Sequence, residues 1–294
     1  MFTVSQSKLR SWRTCHNAYF YKHVLKIQKK KKARPHIRGH LIHRMIEEKI
    51  EKRDPWKVYR AETKRLDKLF KSEAEEYEGI QLEIERLMTG YFNYYKPDPL
   101  RYISFQKKRS EWLGEVPLCE GINLKLRLDS AARTKDKRSW LVEHKSHKVL
   151  PTSEFKFTDI QSLLYSWAMP LMGLPEPDGV CWDYIRAKCP ATPDLLKSGE
   201  LTRKQSIDTT WPVYLEAIKE HGLKPKDYAD MKKLLEGKED DFYKRVFLPI
   251  SKHAMGNIVE EATTTAKEIR RRAGKDRTRN IGKHCDWCGY NDLC

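Results

Sequence analysis

The sequence of 294 residues carries 58 lysines and arginines against 41 aspartates and glutamates, a formal net charge of +17. That balance points to a polyanionic partner, most simply nucleic acid, and no apolar run approaches the roughly 20 residues needed to span a bilayer. The seven cysteines are odd in number, and the start "MFTVSQSKLRSW" lacks a signal-peptide pattern, so a reducing, cytoplasmic-type location is expected and a disulfide framework is not.

In chain order, "SQSKLRSWRTCHNAYFYKHV" reads as a helix with aromatic residues gathered around Cys15. "KIQKKKKARPHIRGH" follows, a lysine run closed by Pro35 and Gly39, and reads as an exposed loop. "GHLIHRMIEEKIEK" has helical periodicity in Leu41, Ile42, Met45, Ile46 and Ile50. Residues 56–96 continue mostly helical until Pro97 and Pro99. Then "YISFQKK", "EWLGEVPL", "INLKLRLDSAA" and "SWLVEHKS" alternate like successive strands, the last two joined by a polar turn. "TDIQSLLYSWAMPLMG" reads as a helix and "GVCWDYIRAK" as a strand. Trp211 to Arg272 reads as helical, and "RRRAGKDRTRNIGKH" as a basic, flexible lead into a cysteine-rich tail. The order implies an α/β core with a mixed sheet and helical additions at both ends. One domain over 1–294 is expected: a helical region over 1–100, a strand block over 101–190 and a helical region over 191–294.

The chemistry gathers in the strand block. Adjacent strands joined by a short turn bring Asp129, which ends "INLKLRLD", beside Glu143 of "LVEHK". In a strand, residues i and i+2 share a face, so Lys145 stands next to Glu143. Two carboxylates at neighbouring strand ends repel unless a cation lies between them, and hard oxygen ligands suit Mg²⁺ or Mn²⁺. A lysine there can stabilise negative charge or orient water; an ordinary surface ion pair between Glu143 and Lys145 is the bland alternative. His43 lies on a helix four residues after Gly39, and Gln161 and Tyr165 lie at i and i+4 on one helix face. A zinc site on His36, His40 and His43 is the rival use of that histidine, but Pro35 and Gly39 argue against a continuous helix through His36.

The set Gly39–His43, Asp129, Glu143–Lys145 and Gln161–Tyr165 resembles the RecB-like branch of the PD-(D/E)XK nucleases, with its G-x-x-x-H helix, strand-ending Asp, D/E-x-K strand and Q-x-x-x-Y helix. The resemblance implies a restriction-endonuclease-like core. It implies that His43, Asp129 and Glu143 bind the metal with help from the backbone carbonyl of His144. Lys145 then helps to activate water, and Gln161 and Tyr165 support the site or the DNA backbone. One departure stands out: where this family often has Gly two residues before the Asp, this sequence has Arg127.

The chain ends "HCDWCGYNDLC", giving Cys285-x2-Cys288-x5-Cys294. Three close cysteines ask for a fourth ligand, and zinc and an iron–sulfur cluster compete. His284 adjoins Cys285, which is poor chelate geometry, and Cys15 is the nearest suitable partner. One N-terminal Cys plus C-x2-C-x5-C resembles the 4Fe–4S clasp of AddB-type and CRISPR-associated RecB-like nucleases, which implies a cluster on Cys15, Cys285, Cys288 and Cys294. Cys119, Cys181 and Cys189 have no close partner and read as buried thiols. Lys29–Lys32 and "RRRAGKDRTR" are candidate phosphate contacts. Trp12, Tyr19, Phe20 and Tyr21 can stack on bases or belong to the core. "KQSIDTTWPVYLEAIKEHGLKPKDYADM" is similar to a segment of virus-encoded exonucleases of this group, which implies a bacteriophage origin. No G-x-x-x-x-G-K-[ST] loop is present, so a fused helicase is not expected. The expected protein is a Mg²⁺- or Mn²⁺-dependent exonuclease acting on DNA ends, single-stranded by family analogy, in recombination, repair or genome processing. An endonuclease and a non-catalytic DNA-binding module are the alternatives.

Overall fold

A computed structural model describes residues 1–27, 34–66, 71–150 and 159–294. Seven strands form one mixed sheet: β1 (Phe2–Ser5), β2 (Arg101–Tyr102), β3 (Ser110–Cys119), β4 (Ile122–Arg133), β5 (Ser139–His147), β6 (Gly179–Arg186) and β7 (Tyr243–Pro249). The spatial order is β1-β4-β5-β6-β7, with β2 and β3 also on β4. The pairs β1/β4 and β5/β6 are parallel and the others antiparallel.

β4 organises the sheet. β3 lies along one edge, from Ser110 opposite Ser130 to Cys119 opposite Ile122. On the other edge β1 takes Ile122–Lys125 and β5 takes Ser130–Arg133. Between those two partners, residues Leu126 to Asp129 have no neighbouring strand on that edge among the described residues. β5 leaves β4 after Val142 but stays paired with β6 to His147. The sheet therefore forks at Asp129 and Glu143. Leu124, Leu126 and Leu128 are buried while Lys125 and Arg127 are exposed, the alternation of a strand with one covered face. β6 is buried along nearly its whole length, as a parallel-paired strand covered on both faces must be.

Nine α-helices are described: α1 (Gln6–Thr14), α2 (His16–Tyr19), α3 (Arg34–Ile50), α4 (Pro55–Leu66), α5 (Lys71–Tyr94), α6 (Ile160–Leu171), α7 (Trp211–Glu220), α8 (Ala229–Leu235) and α9 (Lys252–Arg272). α1, α6 and α9 close the main core, in which Leu9, Leu164, Ala262 and Ile269 meet the sheet. α3 and α5 close a second core with Met45, Ile46, Leu87, Ile185 and Tyr243. Fully burying a Leu or Ile side chain stabilises by about 1.5–3 kcal/mol, so these rows hold α3 and α6 firmly on the fork. None of the described helices is long and apolar enough to cross a membrane.

Four expectations are corrected. The first helix is broken at Cys15, which is extended (φ −167°, ψ 121°), and Phe20–Val24 continues as a π-helical turn. The loop expected through Pro35 and Gly39 gives way to α3, continuous from Arg34. Pro35 is tolerated there because first-turn N–H groups have no intrahelical acceptor; the objection to a helix through His36 falls with it. Only Arg101–Tyr102 of the region around "YISFQKK" is strand, the chain turning where Phe105 bridges Lys108. The stretch expected to be helical from Trp211 to Arg272 contains β7, whose Tyr243–Pro249 pairs with β6 throughout. The sheet thus draws strands from all three expected regions of the chain.

Between β6 and β7, residues 187–242 form an insert. Its exit and return points adjoin, since the Arg186 N–H bonds the Phe242 carbonyl at 2.8 Å. Leu201, Tyr214, Ile218, Tyr228, Met231 and Leu235 give it a small core of its own.

Candidate active site

Glu143 is the centre of the fork and is completely buried. Lys145 Nζ donates to its Oε2 at 3.3 Å and Gln161 Nε2 donates to the same oxygen at 2.8 Å. Its Oε1 is buried with no hydrogen-bond partner. Burial first, then the charge of Asp129, pushes the Glu143 carboxyl up to about 8. Burial would lower the Lys145 ammonium, but Glu143 and Asp129 outweigh it and hold the group above its ordinary value. The pair is therefore not a surface ion pair of the weak kind: one partner is sealed in the protein and the other caps it.

Gln161 owes its place to the helix start. Asp159 caps α6, accepting the Ser162 N–H at 3.0 Å and the Ser162 hydroxyl at 2.9 Å, and Leu163 and Leu164 anchor the same turn in the core. One turn on, Tyr165 is buried in the main core, and its phenol feels the charges of Glu143, Asp129 and Arg127. Burial pushes its phenol up to about 12, so it remains protonated. Asp129 is tied across the fork as well, its Oδ2 accepting the backbone N–H of His144 at 3.0 Å.

The closest group of ligand-type atoms among the described residues is His43, Glu111 and Asp129, each offering one atom within 4.8 Å of the others. His43 Nδ1 stands 3.7 Å from Asp129 Oδ2. Burial lowers the His43 imidazole, with Asp129 opposing and His144, Lys145 and Arg127 reinforcing, which keeps it neutral, the form that ligates metal. Glu111 is not expected from sequence. It sits on β3 between the pairs Ser110–Ser130 and Trp112–Leu128, and so opposite Asp129. Its φ of +52° is left-handed, a conformation that costs a non-glycine residue about 1–3 kcal/mol. Its carboxyl is raised by burial although the Arg127 guanidinium, bonded to it, pulls the other way. Glu143 lies outside this trio, its Oε2 committed to Lys145 and Gln161.

Behind the site, the side chain of His144 turns away from Glu143. Its Nδ1 meets Asp183 Oδ2 at 3.1 Å, and its ring stands edge-on to that of His43. Asp183 is wholly buried and also receives the Tyr91 hydroxyl and Arg245. Burial works against the Asp183 charge; Arg245 and the bonds from His144 and Tyr91 overcome it and hold the carboxyl low. Arg245 itself is fixed by Asp98 and lies over the Tyr95 ring at 3.8 Å. No sequence spacing announces this network, because Arg245 lies on β7, inside a stretch whose pattern reads as helical.

The tail returns to the N-terminal helices, with Cys294 the cysteine of the three that contacts them. Asn17 N–H bonds the Thr278 carbonyl at 3.2 Å, and Asn280 Nδ2 bonds the Thr14 carbonyl at 3.0 Å. Asn17 Nδ2 meets Cys294 Sγ at 3.5 Å, and Tyr21 OH bonds the Leu293 carbonyl at 2.5 Å. Cys15 is buried beneath this seam, its Sγ directed to the Thr278 carbonyl at 4.0 Å. The lead expected to be flexible is thus bonded to α1 and α2. Its basic residues are partly engaged: Arg272 pairs with Glu268 and Asp276, Arg277 lies over Phe20, and Arg279 bonds the Cys294 carbonyl. Trp12, Tyr19 and Phe20 are buried and belong to the core, so they do not stack on bases. Lys29–Lys32 lie outside the described residues.

The family model described as the PD-(D/E)XK nuclease superfamily matches residues 3–294. Among curated proteins none matches the sequence. A solved structure described as "Crystal structure of SSO0001" is similar over 98% of this chain and 94% of its own, at 12% identity and a TM-score of 0.32. The family match runs from the first strand to the last cysteine and spans the whole fork with Asp129, Glu143 and Lys145. With its mixed seven-strand sheet flanked by helices, a restriction-endonuclease-like arrangement, the chain belongs to the PD-(D/E)XK nuclease superfamily, whose members are metal-dependent nucleases.

Proposed function

We propose that the protein is a divalent-metal-dependent DNA exonuclease that works from single-stranded ends. The observation that carries the nuclease reading is Glu143: sealed from solvent, one oxygen held twice and the other buried without a partner. Such an orphaned carboxylate oxygen, on the strand next to Asp129, fits Mg²⁺ or Mn²⁺ in donor type. When bound, the cation acidifies water and neutralises charge on the phosphate in the transition state. His43, Asp129 and Glu143 would hold it. Gln161 fixes Oε2 of Glu143 and leaves Oε1 free. Lys145 presents a permanently charged ammonium to the attacking water or the phosphate oxygens. Tyr165, packed in the core one turn after Gln161, supports the site from α6. The preference for a single strand rests on the family analogy alone. Action in recombination, repair or genome processing, and a bacteriophage source, rest on the resemblance alone.

Cys15, Cys285, Cys288 and Cys294 are proposed to hold a 4Fe–4S cluster. The support is the seam that bonds Asn17 to Thr278 and to the Cys294 thiol, which brings the two cysteine-bearing ends of the chain together. Thiolate ligation there would add binding energy to the docking of α1, α2 and the tail. The one-domain organisation proposed for 1–294 agrees with that closure.

The test uses anaerobically purified protein, Mn²⁺, end-labelled linear single strands, linear duplex and closed single-stranded circles, with Glu143→Ala alongside. Loss of linear strands only, absent in the variant and in EDTA, supports the proposal. Cleaved circles replace it with an endonuclease. DNA bound without any cleavage replaces it with a binding module.

A further inference from the structure

Glu111 and Arg127 are neighbours on β3 and β4, joined carboxylate to guanidinium. We propose that Glu111 is a ligand of the catalytic cation, and that Arg127 is the group it lets go when the cation arrives, freeing the guanidinium for a DNA phosphate. The inference rests on the nuclease reading above and adds to its ligand set a residue that the motifs do not contain.

Three observations carry it. Glu111 belongs to the trio with His43 and Asp129, whose ligand atoms lie within 4.8 Å of one another. Two carboxylates and one imidazole make a set of hard and borderline donors suited to Mg²⁺ or Mn²⁺. Independently, Oε1 of Glu143, on the strand next to Asp129, is buried without a partner, an acceptor that a cation between the strands would satisfy. Third, the cations nearest the carboxylates are already assigned: Lys145 answers Glu143, and Arg127 answers Glu111. A divalent ion entering the trio must compete with Arg127 for the same Glu111 carboxylate, and by linkage its binding weakens the hold on Arg127.

The released side chain is well placed. Arg127 is two residues before Asp129 on the same strand, so both point to one side, and its side chain is 58% exposed while that of Glu111 is only 14% exposed. A guanidinium is the cation best shaped to grip a phosphate with two parallel hydrogen bonds. In the cation-free protein Arg127 is occupied with Glu111; with the cation bound it faces solvent beside the site where the scissile phosphate would sit. Cation binding thus arms the DNA contact.

The experiment measures Mn²⁺ binding to the full chain without DNA, by titration calorimetry and by the spin resonance of free Mn²⁺. Wild type is compared with Glu111→Gln, Arg127→Gln, Asp129→Asn and Glu143→Gln. Glu111→Gln should bind Mn²⁺ roughly 10-fold or more weakly. Arg127→Gln, which removes the competitor, should bind roughly 3–10-fold more tightly. In DNA binding with Ca²⁺ as a probe cation, wild type should gain affinity over EDTA and Arg127→Gln should gain much less. Unchanged Mn²⁺ binding in Glu111→Gln, or unchanged or weaker binding in Arg127→Gln, overturns the inference. If Asp129→Asn and Glu143→Gln are also unchanged, the nuclease reading of the fork falls with it; if those two weaken binding, only the role of Glu111 is lost. Should Glu111→Gln fail to fold, the exposed Arg127→Gln decides the matter alone.

Discussion

Gln161 reaches from the first turn of α6 to Glu143 on β5 and donates to the carboxylate at 2.8 Å. The contact leaves Glu143 one oxygen for other work and fixes the plane of the carboxylate. A positioning group of this kind acts through its partner. Gln161→Ala should therefore lower Mn²⁺ affinity and turnover by roughly 10–100-fold, while binding of DNA in EDTA stays unchanged. Calorimetry and initial rates at saturating Mn²⁺ separate the two effects.

The raised carboxyl of Glu143 makes the cation-free protein sensitive to pH. Its value in the folded chain, about 8, lies above its ordinary 4.5, so the folded state binds the extra proton between those values. Stability from this group is complete below about pH 4.5 and declines as pH rises towards 8. Glu143→Gln cannot lose the proton. In EDTA at pH 8 its melting temperature should exceed that of wild type by roughly 2–8 °C, and the two should converge near pH 4.5. Added Mn²⁺ should reverse the order at pH 8, because it stabilises only the protein that keeps the carboxylate.

Asp183 holds Arg245, His144 and Tyr91 together in the interior. Removing it leaves Arg245 with Asp98 but takes the acceptor from buried Tyr91 and His144, so Asp183→Ala should lose about 2–4 kcal/mol. Tyr91→Phe removes one hydrogen bond and should lose about 1 kcal/mol. Urea unfolding followed by circular dichroism checks both; equal losses would mean that Asp183 is not the keystone of the network.

For the tail, Cys294→Ser should lose bound iron and sulfide in anaerobic protein and should loosen the seam with α2. Cys119→Ser, on β3 and away from the seam, should retain both. Iron and acid-labile sulfide assays on the two proteins give the comparison. Full occupancy in Cys294→Ser would remove that residue from the ligand set.

The strands that carry Asp129 and Glu143 are legible in the sequence because the alternation of Leu124, Leu126 and Leu128 ends on Asp129 and the apolar run Trp140–Val142 ends on Glu143, and the tight polar turn of residues 133–139 allows one simple register. Gln161 and Tyr165 follow from helical spacing. Glu111 is hidden by a single bulge. Counted from the Cys119–Ile122 turn pair, Glu111 falls opposite Ser130; the shift between Pro117 and Cys119 moves it opposite Asp129. Period-two reasoning cannot foresee one extra residue. β7 is hidden for a different reason: it is a short strand between helical stretches, and its cue, Tyr243 and Phe247 on one face with Arg245 between, only makes sense once Asp183 is known to lie opposite Arg245. Cys15 belongs to the N-terminal helical region as the wider pattern suggests, yet it interrupts the helix, at a point where Thr14, Cys15, His16 and Asn17 are all weak helix formers.

The insert between β6 and β7 leaves and returns through adjoining residues and brings its own packed interior. It is nonetheless fastened to the scaffold: Arg38 of α3 bonds the Ala187 carbonyl at 2.8 Å, the Cys189 thiol meets the Glu83 carbonyl of α5, and Arg186 and Lys188 both hold Asp208. Phe242 also packs in the second core beside Met45 and Ile46. A change in residues 187–242 is therefore felt by α3, the helix that carries His43.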